Sequence, residues 1–165
     1  MQNEQRLSRR HRIVQHAQGG VRPGILLVDD YTMVREALVA FLEKSNFTVL
    51  GSATNGDEAV RMAEELQPAV VIIEVTQPLL LGLQTAMAIR RGSPRTEQVL
   101  LVDSETIKLC PPGMSGYVNK SVAADLVQAL RHLDRNSPYF SEGFCAASLA
   151  PPRAATAGPR GRLTA

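Results

Sequence analysis

The sequence predicts an α/β fold, in which helices cover both faces of a doubly wound, five-stranded parallel sheet. Three short apolar runs, ILLVDD at 25–30, VVIIE at 70–74 and VLLVD at 99–103, each end on a carboxylate. A fourth run, GYVNK at 116–120, ends on a lysine. Because helix-like stretches separate these runs, they are typical of buried strands in consecutive βαβ units.

Strand and helix patterns alternate through the first half of the domain. The first strand is predicted over 25–29 and a helix over about 32–44. Apolar residues at three- and four-residue spacing form the buried stripe expected of this helix: Val34, Leu38, Phe41 and Leu42. A second strand over 47–53, a helix over about 57–66 and a third strand over 70–74 complete this half.

The second half repeats the alternation with one irregular unit. The loop TQPLLLG leads to a helix over about 82–91, and strands are predicted over 98–102 and 116–119. Ser121 is expected to cap the last helix. The inner face of that helix is predicted to hold Val122, Leu126, Ala129, Leu130 and Leu133.

The irregular unit joins the fourth and fifth strands. Only the twelve residues 104–115 connect them, whereas a parallel crossover needs about a dozen at least. Pro111 and Pro112 prevent a helix through the second half of this segment. The fourth helix is therefore predicted to be shortened or missing.

Charge and composition divide the chain into four parts. Residues 1–24 hold five arginines and one glutamate, which predicts a basic, disordered tail. The domain is predicted over 25–136, and the extension at 137–150 is expected to add a short helix. The Pro-, Ala- and Arg-rich residues 151–165 form a linker or tail. Weak nucleic-acid binding through the basic tails remains an alternative, although neither tail has an aromatic residue.

Two functional classes are disfavoured by composition. No apolar run approaches the roughly 18 residues of a membrane span, so no membrane contact is expected. Cys110 and Cys145 lack metal-ligand spacing, and the polar start of the chain has no signal peptide. These features favour a cytoplasmic protein with reduced thiols.

Charged side chains follow the ends of several predicted strands. Because the carboxyl ends of parallel strands lie at one edge of the sheet, Asp29, Asp30, Glu74, Asp103 and Lys120 are expected to meet there. Carboxylates so close together repel one another when ionised. Either a divalent cation binds to them, or one carboxyl group stays protonated with a raised pKa. A salt bridge from Lys120 to Glu74 or to the aspartate pair is also predicted.

The order of motifs resembles the receiver domain of a two-component response regulator of the LuxR/NarL type. The resemblance covers about residues 25–145 and is carried by ILLVDDYTMVREAL, GSATNGDEAV, the Pro78…Gly82-Leu83 loop and GMSGYVNKSV followed by PYFSEG. It implies a flavodoxin- or CheY-like three-layer sandwich with strand order 2-1-3-4-5. It also implies phosphoryl transfer from a histidine kinase to an aspartate at the end of the third strand.

The resemblance assigns a role to each residue at this edge. Asp29 and Asp30 match the acidic pair that holds Mg²⁺. Glu74 falls on the phosphoacceptor position, and Thr76 matches a residue whose backbone carbonyl binds the metal. Lys120 matches the lysine that contacts the phosphoryl group. Of these residues, Asp30, Glu74 and Thr76 are expected to contact a bound Mg²⁺ directly, with Asp29 beside them in the acidic pocket.

Two switch positions complete the assignment. Tyr117 matches the switch aromatic, although packing in the core or an interface is the favoured role for its ring. Asp103 stands at a switch position that usually holds a hydroxyl residue. A carboxylate there would repel a phosphoryl group.

Glu74 departs from the family pattern because glutamate replaces the phosphoacceptor aspartate. Its carboxylate lies farther from the backbone by one methylene, roughly 1.5 Å. Misplacement by about 1 Å can slow such a reaction on the order of a hundredfold. Glu74 also resembles an acyl phosphate imperfectly, with negative oxygens that reach toward Lys120.

These features lead to the hypothesis of an atypical, phosphorylation-independent receiver. It would act through a protein partner or a homodimer, and transcriptional regulation is its expected role. It would bind DNA only through a module not present in this chain. A histidine kinase is not its expected partner, no cofactor is required, and it is not expected to be an enzyme. The alternatives are a conventional Mg²⁺-dependent phosphoacceptor receiver and, less favoured, a Mg²⁺-dependent phosphatase. The apolar loop residues 79–81 either bind a partner or pack over the site.

Overall fold

The computed structural model describes residues 24–76, 78–134 and 137–144, which form a three-layer α/β sandwich. The described strands are β1 (Ile25–Val28), β2 (Val49–Ala53), β3 (Val70–Glu74), β4 (Glu97–Val102), β5 (Gly116–Asn119) and β6 (Tyr139–Phe140). The described α helices are α1 (Thr32–Lys44), α2 (Gly56–Leu66), α3 (Leu79–Gly92) and α4 (Ala123–Asp134), with a 3₁₀ helix at Thr106–Leu109. The predicted linker at 151–165 and, apart from Gly24, the predicted basic tail lie outside the described residues.

The sheet is parallel throughout, with the order β2-β1-β3-β4-β5-β6. The predicted order 2-1-3-4-5 is confirmed, but six described strands replace the predicted five. The register pairs Val28 with both Ala53 and Ile73, and Glu74 with Leu101. These pairs lie at or next to the last residues of their strands. The carboxyl ends of β1, β3 and β4 are therefore level with one another. This alignment brings the residues that follow them to one edge.

The central strands are buried on both faces, as a parallel sheet between two helical layers requires. All four residues of β1 are buried, and alternate positions serve opposite sides. Leu26 and Val28 join the apolar cluster beneath α2 and α3, whereas Ile25 and Leu27 join the cluster beneath α1 and α4. The predicted continuous apolar runs therefore mark the centre of the core.

Helix α1 has the predicted bounds but presents less of its stripe to the core. Leu42 is fully buried, and Leu38 and Phe41 are partly buried. Val34 is 47% exposed, so its predicted place in the core is wrong. It lies in the first turn of α1, where Met33 is exposed as well.

The last helix, α4, is shorter at its start than predicted. Four of the five predicted inner residues are buried: Leu126, Ala129, Leu130 and Leu133. The fifth, Val122, precedes the helix and is 43% exposed. Ser121 lies in the preceding turn, where its N–H donates to Asn119 Oδ1 at 3.0 Å. The helix therefore begins two residues beyond the predicted cap.

Helix α3 begins at Leu79, three residues before the predicted start. Pro78 has extended backbone angles just before it, and no glycine or proline interrupts the next three leucines. The predicted apolar loop is therefore part of a helix. Leu80 and Leu81 are 61% and 60% exposed on its first turn. Gly82 packs against Val75: a Cβ at that position would lie 2.6 Å from Val75 Cγ2.

The irregular unit is confirmed, because the connection between β4 and β5 contains only one 3₁₀ turn. The extension differs from its prediction. Residues 139–140 form β6, which pairs with β5 through Gly116 and Tyr117, and no helix forms over 137–144. The remainder of the predicted extension, 145–150, lies outside the described residues. Among the described residues, none of the helices has the length and apolar character to cross a bilayer.

Candidate functional site

Three carboxylates gather at the carboxyl edge of the sheet. Asp29 and Asp30 directly follow β1 and Glu74 ends β3, and one oxygen from each lies within 4.8 Å of the others. Thr76 lines the same cavity, of about 210 Å³. We call this space the carboxylate cavity. The cavity is also lined by the ends of β1 and β3, the loop before α2 and the first turns of α3, through Val28, Ile73, Val75, Thr54, Asn55, Gly56, Leu81, Gly82 and Thr85.

Asp29 is the buried member of the three, with only 2% exposure. Its Oδ1 accepts a hydrogen bond from the Tyr31 backbone N–H at 2.8 Å, whereas its buried Oδ2 has no hydrogen-bond partner. Burial raises the pKa of Asp29, and the charge of Asp30 acts in the same direction. An unsatisfied buried carboxylate oxygen is uncommon in a native fold, so this atom marks a place for a proton or a cation.

Glu74 and Lys120 form the ion pair predicted between them. Lys120 Nζ lies 2.8 Å from Glu74 Oε1, and the Glu74 side chain is only 9% exposed, compared with 33% for Lys120. Lys120 is held at the edge by its backbone N–H, which donates to the Val102 carbonyl at 2.9 Å. The pair therefore spans β4, joining the end of β3 to the end of β5.

Asp103 is not among the clustered carboxylates and lines neither cavity, so its predicted place in the acidic pocket is wrong, although the charge of Lys120 still acts on it. Its Oδ1 accepts hydrogen bonds from the backbone N–H groups of Thr106 at 2.7 Å and Glu105 at 3.0 Å. These bonds cap the 3₁₀ helix and lower the pKa of Asp103, with the Thr106 N–H as the largest cause. Because the segment after β4 starts a tight turn at once, its first carboxylate satisfies that turn instead of facing the cavity.

Tyr117 packs inside the domain. It is fully buried, and its hydroxyl donates to the Pro111 carbonyl at 2.6 Å. The Phe144 ring stacks on it at a centroid distance of 5.2 Å, and the Phe140 ring lies 6.1 Å away. Burial raises the pKa of the Tyr117 hydroxyl above its usual range. The sequence pointed to packing for this ring, but it did not reveal that Phe140 and Phe144 supply the covering aromatics.

A second cavity, which the sequence did not reveal, is lined by two of these carboxylates, Asp29 and Glu74, and by Lys120. It measures about 390 Å³, and we call it the α1 cavity. Its lining comprises Asp29, Tyr31, Val34, Leu38, Glu74, Thr76, Leu101 and Lys120. The sequence signal for this cavity is the apolar pattern at the start of α1, and Val34 and Leu38 of that pattern were predicted to lie in the core.

The carboxylate cavity has donors that suit Mg²⁺. Carboxylate oxygens are ligands that this cation prefers, and the unpartnered Asp29 Oδ2 belongs to the group. Asp30 is exposed and Glu74 is tied to Lys120. The predicted ligands Asp30, Glu74 and Thr76 all line this cavity. Because Glu74 is held by Lys120, Asp30 and the adjacent Asp29 would supply the carboxylate contacts to the ion. A bound Mg²⁺ would neutralise the carboxylates and polarise a phosphoryl oxygen.

The fold and this edge agree with comparisons to known proteins. The model of the response regulator receiver domain family matches residues 25–131. The chain is 31% identical to the response regulator GacA of Pseudomonas viridiflava over 71% of its own length and 58% of that protein. It is 32% identical to the transcriptional regulatory protein LiaR of Bacillus subtilis (strain 168) over 69% of its own length and 57% of LiaR.

A solved structure supports the same assignment. A two-component response regulator of the LuxR family from Aurantimonas sp. SI85-9A1 superposes with a TM-score of 0.65 at 28% identity, covering 76% of this chain and 94% of that one. The chain therefore belongs to the response regulator receiver domain family. Within it, the relatives and this structure place the chain with the LuxR type.

Proposed function

We propose that this domain is an atypical receiver whose output does not depend on phosphorylation. The observation that carries the proposal is the 2.8 Å ion pair between Lys120 and Glu74, whose side chain is 9% exposed. The acceptor position already holds a negative group in contact with the lysine that would otherwise meet a phosphoryl group. The ion pair would thus maintain one conformation without a covalent signal.

The surroundings of Tyr117 support a single conformation. Its hydroxyl is bonded to the Pro111 carbonyl, and Phe140 and Phe144 cover its ring. Outward rotation of the tyrosine would break this hydrogen bond and disrupt the aromatic cluster. A switch that reads phosphorylation needs two accessible positions for its aromatic residue, and the packing here favours one.

The domain would act through protein contacts in transcriptional regulation. It spans 58% of the length of GacA, a relative named as a response regulator. In this proposal it binds a protein partner or a second copy of itself in the cytoplasm. It catalyses no reaction and reaches DNA only through a module outside these residues. On this side of the sheet β6 pairs with β5, so a partner that approached this edge would contact β6 and not β5.

A conventional Mg²⁺-dependent phosphoacceptor receiver is the second candidate. The observation that favours it is the group of three carboxylates with the unpartnered Asp29 Oδ2. In that case Lys120 would have to release Glu74 before a phosphoryl group could enter. The two candidates therefore differ in whether the ion pair yields to a phosphoryl donor.

Intact-mass measurement after incubation with Mg²⁺ and a small acyl-phosphate donor tests the proposal. The native chain is expected to gain no phosphoryl group, whereas Glu74→Asp restores the shorter acceptor and serves as the positive control. An adduct on the native chain that is lost in Glu74→Gln would establish the second candidate. An adduct that survives Glu74→Gln but is lost in Asp103→Asn would place the acceptor on Asp103 and would also contradict the proposal.

A further inference from the structure

The α1 cavity has the size and lining of a small-molecule site. At about 390 Å³ it falls within the range of roughly 300–1,000 Å³ typical of ligand pockets. Val34, Leu38 and Leu101 supply an apolar wall, and Tyr31 adds a ring that is 60% exposed. The charged lining residues, Asp29, Glu74 and Lys120, all stand at or just after the carboxyl ends of strands. Such a lining suits a ligand with an apolar body and one polar head.

The charge at that end favours a cationic head. Lys120 is already paired with Glu74 at 2.8 Å, so these two charges compensate each other. The lining holds a second carboxylate, Asp29, which makes no ion pair although the charges of Arg35 and Lys120 act on it. Arg35 is nearby, but its Nη1 donates to the backbone carbonyl of Asp29 at 2.8 Å and not to the carboxylate. An anionic head would meet a surplus of negative charge, whereas a cation would reduce it.

The buried carboxylate of Asp29 supplies the specific contact. Asp29 lines the cavity, is 2% exposed, and its Oδ2 has no hydrogen-bond partner. An alkylammonium group at the Asp29 end of the cavity would be attracted by the charge of this carboxylate, and a charge-assisted bond to it would be stronger than a neutral one. The exposed ring of Tyr31 can also attract the cation through its face.

We propose that the α1 cavity binds an amphipathic organic cation, a primary amine whose ammonium group pairs with Asp29 and whose apolar body packs against Val34, Leu38 and Leu101. The α1 cavity shares Glu74, Thr76 and Lys120 with the phosphoacceptor edge, but the proposed binding does not depend on the function proposed above. Because Asp29 also lines the carboxylate cavity, the amine and Mg²⁺ would compete for one carboxylate.

Isothermal titration of the full chain with three matched probes tests the proposal in the presence of a chelator. The probes are 4-phenylbutylamine, 4-phenylbutanol and 4-phenylbutyrate, which share a body and differ in the head. The amine is expected to bind at least about tenfold more tightly than the alcohol, because its head gains a charge-assisted bond. The carboxylate is expected to bind more weakly than the alcohol. Equal affinity for the three probes, or preference for the acid, would overturn the proposal.

Three variants locate the binding site. Asp29→Asn is expected to remove the preference for the amine over the alcohol. Val34→Trp fills the α1 cavity and is expected to weaken both probes at least about tenfold. Leu81→Trp is the matched control, because Leu81 is also exposed but lines only the carboxylate cavity. Amine binding that persists in Val34→Trp, or is lost in Leu81→Trp alone, would contradict this location.

Discussion

Removal of Lys120 should destabilise the domain far more than removal of the charge on Glu74. Two unit charges 2.8 Å apart attract by ~6 kcal/mol at the effective dielectric constant of about 20 found near protein surfaces. Desolvation of the largely buried Glu74 offsets much of that attraction, so a coupling energy of about 1–3 kcal/mol is expected. Lys120→Met also leaves three carboxylates without their cation. Glu74→Gln, in contrast, removes one of the mutually repelling charges.

Urea unfolding of the native chain, Glu74→Gln, Lys120→Met and the double variant measures this asymmetry. We expect Lys120→Met to lower the free energy of unfolding by about 2–3 kcal/mol and Glu74→Gln by less than about 1 kcal/mol. Arg61 and Glu65 form an exposed pair at 3.2 Å and provide the control cycle, with a coupling of about 0.3–0.5 kcal/mol. A Lys120–Glu74 coupling no larger than the control, or a greater loss for Glu74→Gln, would refute the reasoning.

Three further predictions concern the buried groups. Asp29→Asn should raise the free energy of unfolding by about 1 kcal/mol at neutral pH. Because burial raises the folded-state pKa of Asp29, the charged form opposes folding as pH rises above its ordinary value of 3.8, so this gain should vanish in thermal melts below that pH. Tyr117→Phe should cost about 1 kcal/mol in urea unfolding, because the Pro111 carbonyl loses its donor, and an unchanged midpoint would contradict the hydrogen bond. Gly82→Ala should cost about 1–3 kcal/mol by the same assay, because its Cβ would meet Val75, whereas a neutral result would show that α3 moves freely.

The elements that the sequence predicted best are those with a strong local signal. The bounds of α1 and the position of β3 follow directly from apolar spacing. The start of α3 was misplaced, because the leucines after Pro78 were assigned to a loop although they have good helix propensity. β6 was missed because two residues are too few to show alternation, and its pairing with β5 is a long-range contact.

The site shows the same division between local and distant information. Strand ends placed Asp29, Asp30 and Glu74 together, because register in a parallel sheet makes neighbouring strands end level. The same rule failed for Asp103, because its side chain accepts a hydrogen bond from the Thr106 N–H of the local turn. The α1 cavity was not predicted, because the apolar start of α1, its one sequence signal, fits a core position equally well and only the folded structure separates the two.

The most direct test of phosphorylation independence is the amide NMR spectrum of the chain before and after Mg²⁺ and an acyl-phosphate donor are added. We predict that Mg²⁺ alone shifts only amides near Asp29 and Asp30, and that the donor causes no further change at Tyr117 or along β5. Glu74→Asp, treated in the same way, shows what a phosphorylated domain looks like. Donor-dependent shifts at Tyr117 in the native chain would contradict the account, because they would show that the Glu74–Lys120 pair yields to a phosphoryl group.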